Sequence, residues 1–286
     1  MKILVFGKTG QVGRALRVAA EMRGIKLDQH GRDTADLSDP AACSDLINAT
    51  DADAVINAAA WTAVDDAETA EDAAHVINAT APGAMAAAAA ARDLPFVHLS
   101  TDYVFSGADG DAWKPEDPTG PLGAYGRTKL AGEQAVMSTA AAAVILRTAW
   151  VFDGTGKNFV TTMLRLAETR DELSIVSDQI GGPTPADAIA DACLTIASAL
   201  AEGKGTPGIY HFSGTPDVSW ADFAREIFAR AGKTIKVNGI GTADYPTPAK
   251  RPANSRLDCQ RLRAVFGIER PSWGAALDSI LKEQSS

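Results

Sequence analysis

Short apolar runs alternate with longer stretches of helical periodicity through the first half of the chain. Lys2–Phe6, Ile25–Gln29, Ala54–Asn57, Phe96–Leu99 and Val144–Leu146 are rich in Val, Ile and Leu with little polar interruption. That pattern suits strands buried on both faces of a parallel sheet. Between them, Gln11–Arg23, Pro40–Ala49, Glu71–Arg92 and Tyr125–Thr139 read as helices. The alternation predicts an α/β protein with a Rossmann-type, doubly wound parallel sheet. The alanine run Ala86–Ala91 reads as a helix face of small side chains that lets the helix approach the sheet closely. Residues 107–123, rich in Gly, Pro and Asp, read as a loop leading into Tyr125.

After Trp150 the pattern is less regular. Asn158–Arg170 and Ala186–Ala201 read as helices, and Gly208–Phe212 as a further strand. Ser219 to Ala231 is a punctuated helix, with Ser219 as N-cap and Gly232 just past its end. Residues 238–256, rich in Pro, Gly and Thr and holding Arg251 and Arg256, read as a loop. The expected organisation is a dinucleotide-binding domain over 1–152, with returning segments near 181–212 and 257–270. Residues 153–180 and 213–256 would form a smaller, discontinuous α+β substrate-binding lobe. No internal repeat is visible.

Composition narrows the class. The 286 residues carry a formal net charge of −9, which argues against a nucleic-acid surface. An anionic small molecule is compatible with that charge when local arginines hold it. Cys43, Cys193 and Cys259 are few and widely spaced, so they read as reduced thiols and neither a disulfide framework nor a metal site follows. The apolar start, Met1 to Gly7, breaks too soon into a glycine turn for a secretory signal, and no segment has the apolar length to span a bilayer. A cytoplasmic enzyme is expected, without a membrane partner.

Gly7-Lys8-Thr9-Gly10-Gln11-Val12-Gly13 follows the first strand and opens a helix. Glycines at this spacing allow a tight turn, close backbone approach to a pyrophosphate and close helix–sheet packing. The acidic residue that usually ends strand two is either Asp28 or, further along, Asp36. Arg32 is either a solvated surface arginine or a partner for a 2′-phosphate, which leaves NADH and NADPH both open. Asn57-Ala58-Ala59-Ala60 ends the third strand with small residues, suited to a cofactor lying across it or to tight packing alone.

Tyr125 and Lys129 are four residues apart, one turn along the same helix face. A nearby ammonium favours phenolate and is expected to lower the tyrosine pKa toward the working range. Ser100-Thr101-Asp102-Tyr103 follows the fourth strand, where a hydroxyl could reach the same carbonyl oxygen.

Several motifs stand in order along nearly the whole chain. They are the GKTGQVG turn, NAAAWTAVDDAE (57–68), STDYVFSG (100–107), YGRTKLAGE (125–133), RTAWVF (147–152), DQIGGPTPA (178–186) and KRPANSRLD (250–258). Together they resemble the extended short-chain dehydrogenase/reductases, and within them the dTDP-4-dehydrorhamnose reductase family. The resemblance implies reduction of the 4-keto group of a dTDP-activated 6-deoxy sugar, with Thr101, Tyr125 and Lys129 as catalytic trio. It implies a cofactor seat built from Gly7, Thr9, Gly10, Gln11, Val12, Gly13, Arg32, Asp36, Leu37, Ala58, Ala59 and Thr62, together with Tyr125 and Lys129. The nucleotide sugar would meet Val64, Asp65, Thr101, Asp102, Tyr103, the aromatic wall of Trp150, and Arg251 and Asn254 at its diphosphate. Trp150 could equally be a core tryptophan and Arg251 a loop ion pair. Asp66 and Glu68 read as a solvated or helix-starting acidic face.

Some relatives dimerise through magnesium held by a glutamate two residues after the third motif glycine. Ala15 stands there, so a monomer or a differently paired homodimer is expected. Two other activities fit parts of the pattern. A dehydratase would carry Asp-Glu after the threonine, but Tyr103 follows Asp102 here; an epimerase on another keto-sugar nucleotide is less firmly separated. A non-catalytic NADP-binding subunit, like the regulatory subunit of methionine adenosyltransferase, would not need the intact trio.

Overall fold

The computed structural model describes residues 1–108, 110–139 and 141–284. Six strands form the main sheet: β1 (Lys2–Phe6), β2 (Lys26–His30), β3 (Ala54–Asn57), β4 (Phe96–Thr101), β5 (Ala143–Thr148) and β6 (Gly208–Phe212). They lie in the order β6-β5-β4-β3-β1-β2, with every neighbouring pair parallel. The expected fold is therefore present.

The sheet is covered on both sides, and the two-residue period of its strands divides the core. Ile3, Val5, Ile56, Val97, Val144 and Leu146 face the helices Gln11–Met22 and Ala186–Ala201. Leu4, Phe6, Val55, Phe96 and Ile145 face the opposite layer, which includes Cys43, Ile47 and Met85. All eleven strand side chains just named are fully buried, which explains runs that are apolar at successive positions rather than alternate ones. The alanine run behaves as its composition predicts: Ala86, Ala88 and Ala89 are buried against this second layer.

The chain winds outward from β1 to β2, then returns to place β3 on the other side of β1. A crevice opens beyond the carboxyl ends of those strands, where open α/β sheets bind ligands.

A separate apolar cluster joins Phe152, Val160, Met163, Phe223, Ile227, Trp273 and Leu277. Beside it, Glu172–Val176 and Lys236–Ile240 pair as a two-stranded parallel ladder. The second of these begins just before the stretch 238–256 that the sequence reads as loop, and runs into it. Its residues are half-buried to exposed, so it lacks the apolar run that reveals the main strands. The helix expected over Asn158–Arg170 ends at Leu166, although Asn158 does cap it. Ser219 caps the helix Trp220–Arg230 as expected, accepting from the Asp222 N–H at 3.0 Å.

The helix expected over Glu71–Arg92 contains a π-helical segment, Val76–Thr80. Its buried Asn78 accepts the Trp61 N–H (2.8 Å) and donates to the Trp61 carbonyl (3.2 Å) and to Thr128 Oγ1 (3.1 Å). Single π turns recur at functional sites. This one ties the segment after β3 to the helix Ala124–Met137, which carries Tyr125 and Lys129. Gly132 of that helix packs so closely that a β-carbon would stand 1.9 Å from the Asn78 carbonyl oxygen. Gly132→Ala is therefore expected to cost about 1–3 kcal/mol through overpacking. Urea unfolding measures this, and an unchanged midpoint would contradict the contact.

Candidate active site

Gly7 leaves β1 at φ +103, a conformation open to glycine and strained for other residues. It bonds back to β2, its N–H donating to the His30 carbonyl at 2.9 Å. Gly13, one turn into the following helix, lies against the Gly7 carbonyl, where a β-carbon would stand 1.9 Å from the oxygen. The sequence pattern is thus a packing solution that brings a helix N-terminus to the lip of the crevice, the arrangement that favours phosphate.

The crevice is a cavity of about 640 Å³. Gly7, Thr9, Gly10, Gln11, Val12, Arg32, Asp36, Leu37, Ala58, Ala59, Thr62, Tyr125 and Lys129 all line it. Gly13 stands behind it. Gly31, Ala35, Ile77, Leu99, Ser100, Thr148 and Val151 also line it; Ser100, Thr148 and Val151 lie in motifs that do not by themselves single them out, and the other four sit in a strand, loop or helix without a motif. Two observations fit a dinucleotide. Gly10 has an ordinary φ of −69 and would place a β-carbon no nearer than 3.5 Å to the protein, so its missing side chain leaves crevice space. Gln11 Oε1 and Thr148 Oγ1 are buried on the crevice wall with no hydrogen-bond partner among the described residues, open to a ligand's polar groups.

Asp28 is not the acid at the end of strand two. It lies in mid-strand opposite Leu4, and its carboxylate meets His30 Nε2 at 3.0 Å and Lys2 Nζ at 3.4 Å. Asp36 does line the crevice. Its carboxylate accepts the Ser38 N–H at 2.9 Å, which holds it below the usual carboxylate range. Arg32 lines the crevice where β2 gives way to the loop.

Tyr125 and Lys129 reach the crevice from one helix face. Residues of the 57–71 stretch fix that helix from a distance: Glu68 Oε1 accepts the N–H of Ala124 at 2.8 Å, and Glu71 takes Arg127 in a two-pronged pair at 2.8 and 2.7 Å. The acidic face read at Glu68 is therefore a cap for the helix that carries Tyr125 and Lys129, supplied 56 residues away. A carboxylate at a helix N-terminus is favoured by the exposed N–H groups and by the dipole. No local signal reveals such a pairing.

The expected electrostatics are reversed at the tyrosine. Burial pushes the Tyr125 phenol up to about 12; the Thr101 hydroxyl opposes this, and the Asp102 charge adds to it. Lys129 does not offset the burial. Its ammonium donates to the Leu99 carbonyl at 2.7 Å and lies 3.3 Å from His98 Nε2, and burial draws it down to about 8. Tyr125 is thus held as a neutral phenol, the form able to give a proton.

Thr101 ends β4 beside it, donating to Asp102 Oδ1 at 3.1 Å and accepting the Tyr103 N–H at 3.2 Å. The Tyr103 ring meets Tyr125 edge-on at 5.4 Å. Trp150 adopts φ +51, an unusual backbone for a bulky residue, and stacks on Trp220 with ring centroids 3.5 Å apart. Arg251 reaches across to Asp65 at 2.9 Å, while Asp65 Oδ1 also accepts the Ala249 N–H. Val64 opens the short helix that carries Asp65. Asn254 is buried, its amide donating to the carbonyls of Ala108 and Asp111 and accepting from Arg256. Its polar atoms hold the 107–123 loop in place.

Asp102 is buried, and Oδ2 has no hydrogen-bond partner among the described residues. Burial raises its carboxyl to about 6, with the nearby Ser255 and Thr101 hydroxyls opposing. The unfolded chain releases this proton near pH 4, so between these values the folded protein binds more protons and stability falls as pH rises. Asp102→Asn is accordingly expected to gain on the order of 2 kcal/mol over wild type at about pH 8 and almost nothing at about pH 4. Denaturant titrations at both pH values would show it, and a difference independent of pH would refute the assignment.

The family described as RmlD substrate binding domain matches residues 1–286. The chain is 44% identical over 279 residues to a dTDP-4-dehydrorhamnose reductase of Sinorhizobium fredii, covering 96% of this chain and 94% of that one. It is 42% identical over 293 residues to the Escherichia coli protein of the same name, covering 99% and 98%. A Clostridium acetobutylicum dTDP-4-dehydrorhamnose reductase superposes with a TM-score of 0.94 at 36% identity over the full length of both chains. One from Bacillus anthracis, solved in complex with NADP, gives 0.92 at 30% identity over 99% of each. With the crevice and its Thr–Tyr–Lys set in place, the chain belongs to the dTDP-4-dehydrorhamnose reductase family.

Proposed function

We propose that this protein reduces the 4-keto group of dTDP-4-dehydro-L-rhamnose to give dTDP-L-rhamnose, using NADPH in preference to NADH. The observation that carries the reading is a buried neutral Tyr125 and Lys129 lining one end of a dinucleotide-sized crevice, with the Thr101 hydroxyl bonded to Tyr125 from just behind that wall. When bound, the reduced nicotinamide cofactor supplies hydride. The turn Gly7–Gly13 would hold its pyrophosphate, Asp36 and Leu37 its adenine side, and Lys129 the nicotinamide ribose. Arg32 supports the preference for NADPH. The expected acid of strand two is drawn away to Lys2 and His30, and an arginine fork suits a 2′-phosphate.

Thr101 orients the sugar carbonyl through its hydroxyl, and Tyr125 donates the proton that the developing alkoxide needs. Burial serves this step, because it keeps the proton on the phenol until a stronger base forms beside it. Trp150, braced by Trp220, forms a wall for the sugar ring, and Arg251 exchanges Asp65 for the substrate diphosphate. The reading assigns the substrate lobe to residues 153–180 and 213–256 and the reaction to the cytoplasm.

Tyr125→Phe is expected to lower kcat by about 10²–10⁴-fold while NADPH affinity stays nearly unchanged. Cofactor oxidation dependent on the enzymatically generated keto-sugar measures the rate, and cofactor titration the affinity. Near-normal turnover would remove Tyr125 from its role. Arg32→Ala should raise the KM for NADPH by roughly 10–100-fold, as loss of a charge-assisted hydrogen bond does, and leave that for NADH almost unmoved. Equal effects on both cofactors would refute the 2′-phosphate contact.

A further inference from the structure

β4 is apolar except at one point before its end: His98 lies fully buried in the middle of the strand, its ring stacked on Phe96 at 6.2 Å with an 8° tilt. A buried polar side chain needs partners, and those of His98 form a chain with only one self-consistent direction. Asn57, opposite it in register on β3, accepts the N–H of Ala59 through Oδ1 at 3.0 Å. That bond orients the amide and turns its NH2 group toward His98 Nδ1, 3.1 Å away. Nδ1 must then accept, so the neutral imidazole carries its hydrogen on Nε2. Nε2 faces Lys129 Nζ at 3.3 Å. An N–H pointing at the lysine nitrogen is satisfied when that nitrogen presents a lone pair, that is, as the neutral amine. Lys129 in turn donates to the Leu99 carbonyl at 2.7 Å.

We infer that His98 is a positioning residue for Lys129, and that the chain Ala59–Asn57–His98–Lys129 anchors the catalytic amine to the crevice wall and favours its uncharged form. The inference rests on the reductase reading only for the consequences in turnover. The chain ends at a backbone amide, which does not exchange its proton on the catalytic timescale, so it acts as an anchor rather than a path to solvent. Ala59 and Lys129 both line the crevice, which places the two ends of the chain on one cofactor seat. An outer partner that fixes tautomer and orientation is a common device for histidines at reactive centres. The other titratable or charged groups about Lys129 are Tyr125 and Glu133 of its own helix and Arg147 of β5. Glu133 is taken up by Arg147 at 2.7 Å and by Ser100 at 2.5 Å. Burial holds His98 well below its usual pKa, so the imidazole stays neutral.

The test begins with the wild-type protein labelled with ¹⁵N-histidine. The expected spectrum shows His98 neutral, protonated on Nε2, across the working pH range. An Nδ1-protonated or charged ring would overturn the inference, and this measurement needs no turnover. His98→Phe keeps the stack on Phe96 and removes both hydrogen bonds. Its kcat should fall on the order of a hundredfold, as misplacement of a reacting group does, with the sugar KM little changed. The limb of the kcat/KM profile near pH 8 should move to higher pH, because the neutral amine has lost its donor. His98→Gln, which can return an N–H toward Lys129, should restore most of the rate. Wild-type kcat and an unmoved limb in a folded His98→Phe protein would overturn the inference. If that variant does not fold, the wild-type spectrum decides. Absence of keto-sugar reduction by the wild-type protein would count against the reductase reading, while the spectrum would still decide whether the hydrogen-bond chain runs as described.

Discussion

The position of the helix Ala124–Met137 is the constraint on which the site depends. It lies close because Gly132 admits the Asn78 carbonyl of the π segment. Its N-terminus is held by Glu68 and its outer face by Glu71 through Arg127. A fully buried ion pair, Glu133 with Arg147 of β5, locks its inner face to the sheet, with Ser100 Oγ bonded to the same carboxylate. Such a pair contributes little net stability, since desolvation cancels much of the attraction, but loss of one partner is costly. Its effect here is geometric. Tyr125 and Lys129 are fixed relative to the end of β4, where Thr101 emerges.

Low polarity at this centre acts differently on its members. It pushes the Tyr125 phenol and the Asp102 carboxyl up and draws the Lys129 ammonium down. Each group is moved toward its neutral form, as desolvation requires. In the proposed reaction this suits Tyr125 as the proton donor to the alkoxide. A four-residue spacing taken alone suggests an isolated pair in which the lysine charge dominates. The folded environment adds a carbonyl that takes up a Lys129 N–H and a buried histidine beside the same nitrogen, and burial outweighs the lysine's pull on the phenol.

The outer part of the site rests on contacts between remote segments. Asp65 and Arg251 meet across 186 positions, Asn254 ties down the loop before Tyr125, and Trp220 braces a strained Trp150. These give the lobe beside the crevice its shape, and none follows from local periodicity.

The sequence by itself determined the sheet, its doubly wound character and the crevice lip. Buried parallel strands are written as uninterrupted apolar runs, and the glycine turn is a local steric requirement. Among the crevice residues, those of the glycine turn follow from that requirement and Ala58, Ala59, Tyr125 and Lys129 lie in motifs beside a strand end or helix start, whereas Leu37 and Thr62 follow only from the family resemblance. Tertiary structure alone decided which acid leaves strand two, which carboxylates hold the helix Ala124–Met137, and how His98 meets Lys129. It also decided the ladder of Glu172–Val176 with Lys236–Ile240, whose half-exposed residues carry no apolar signature. Those outcomes depend on side chains far apart in the chain and on the water excluded between them, and neither is encoded in the spacing of neighbouring residues.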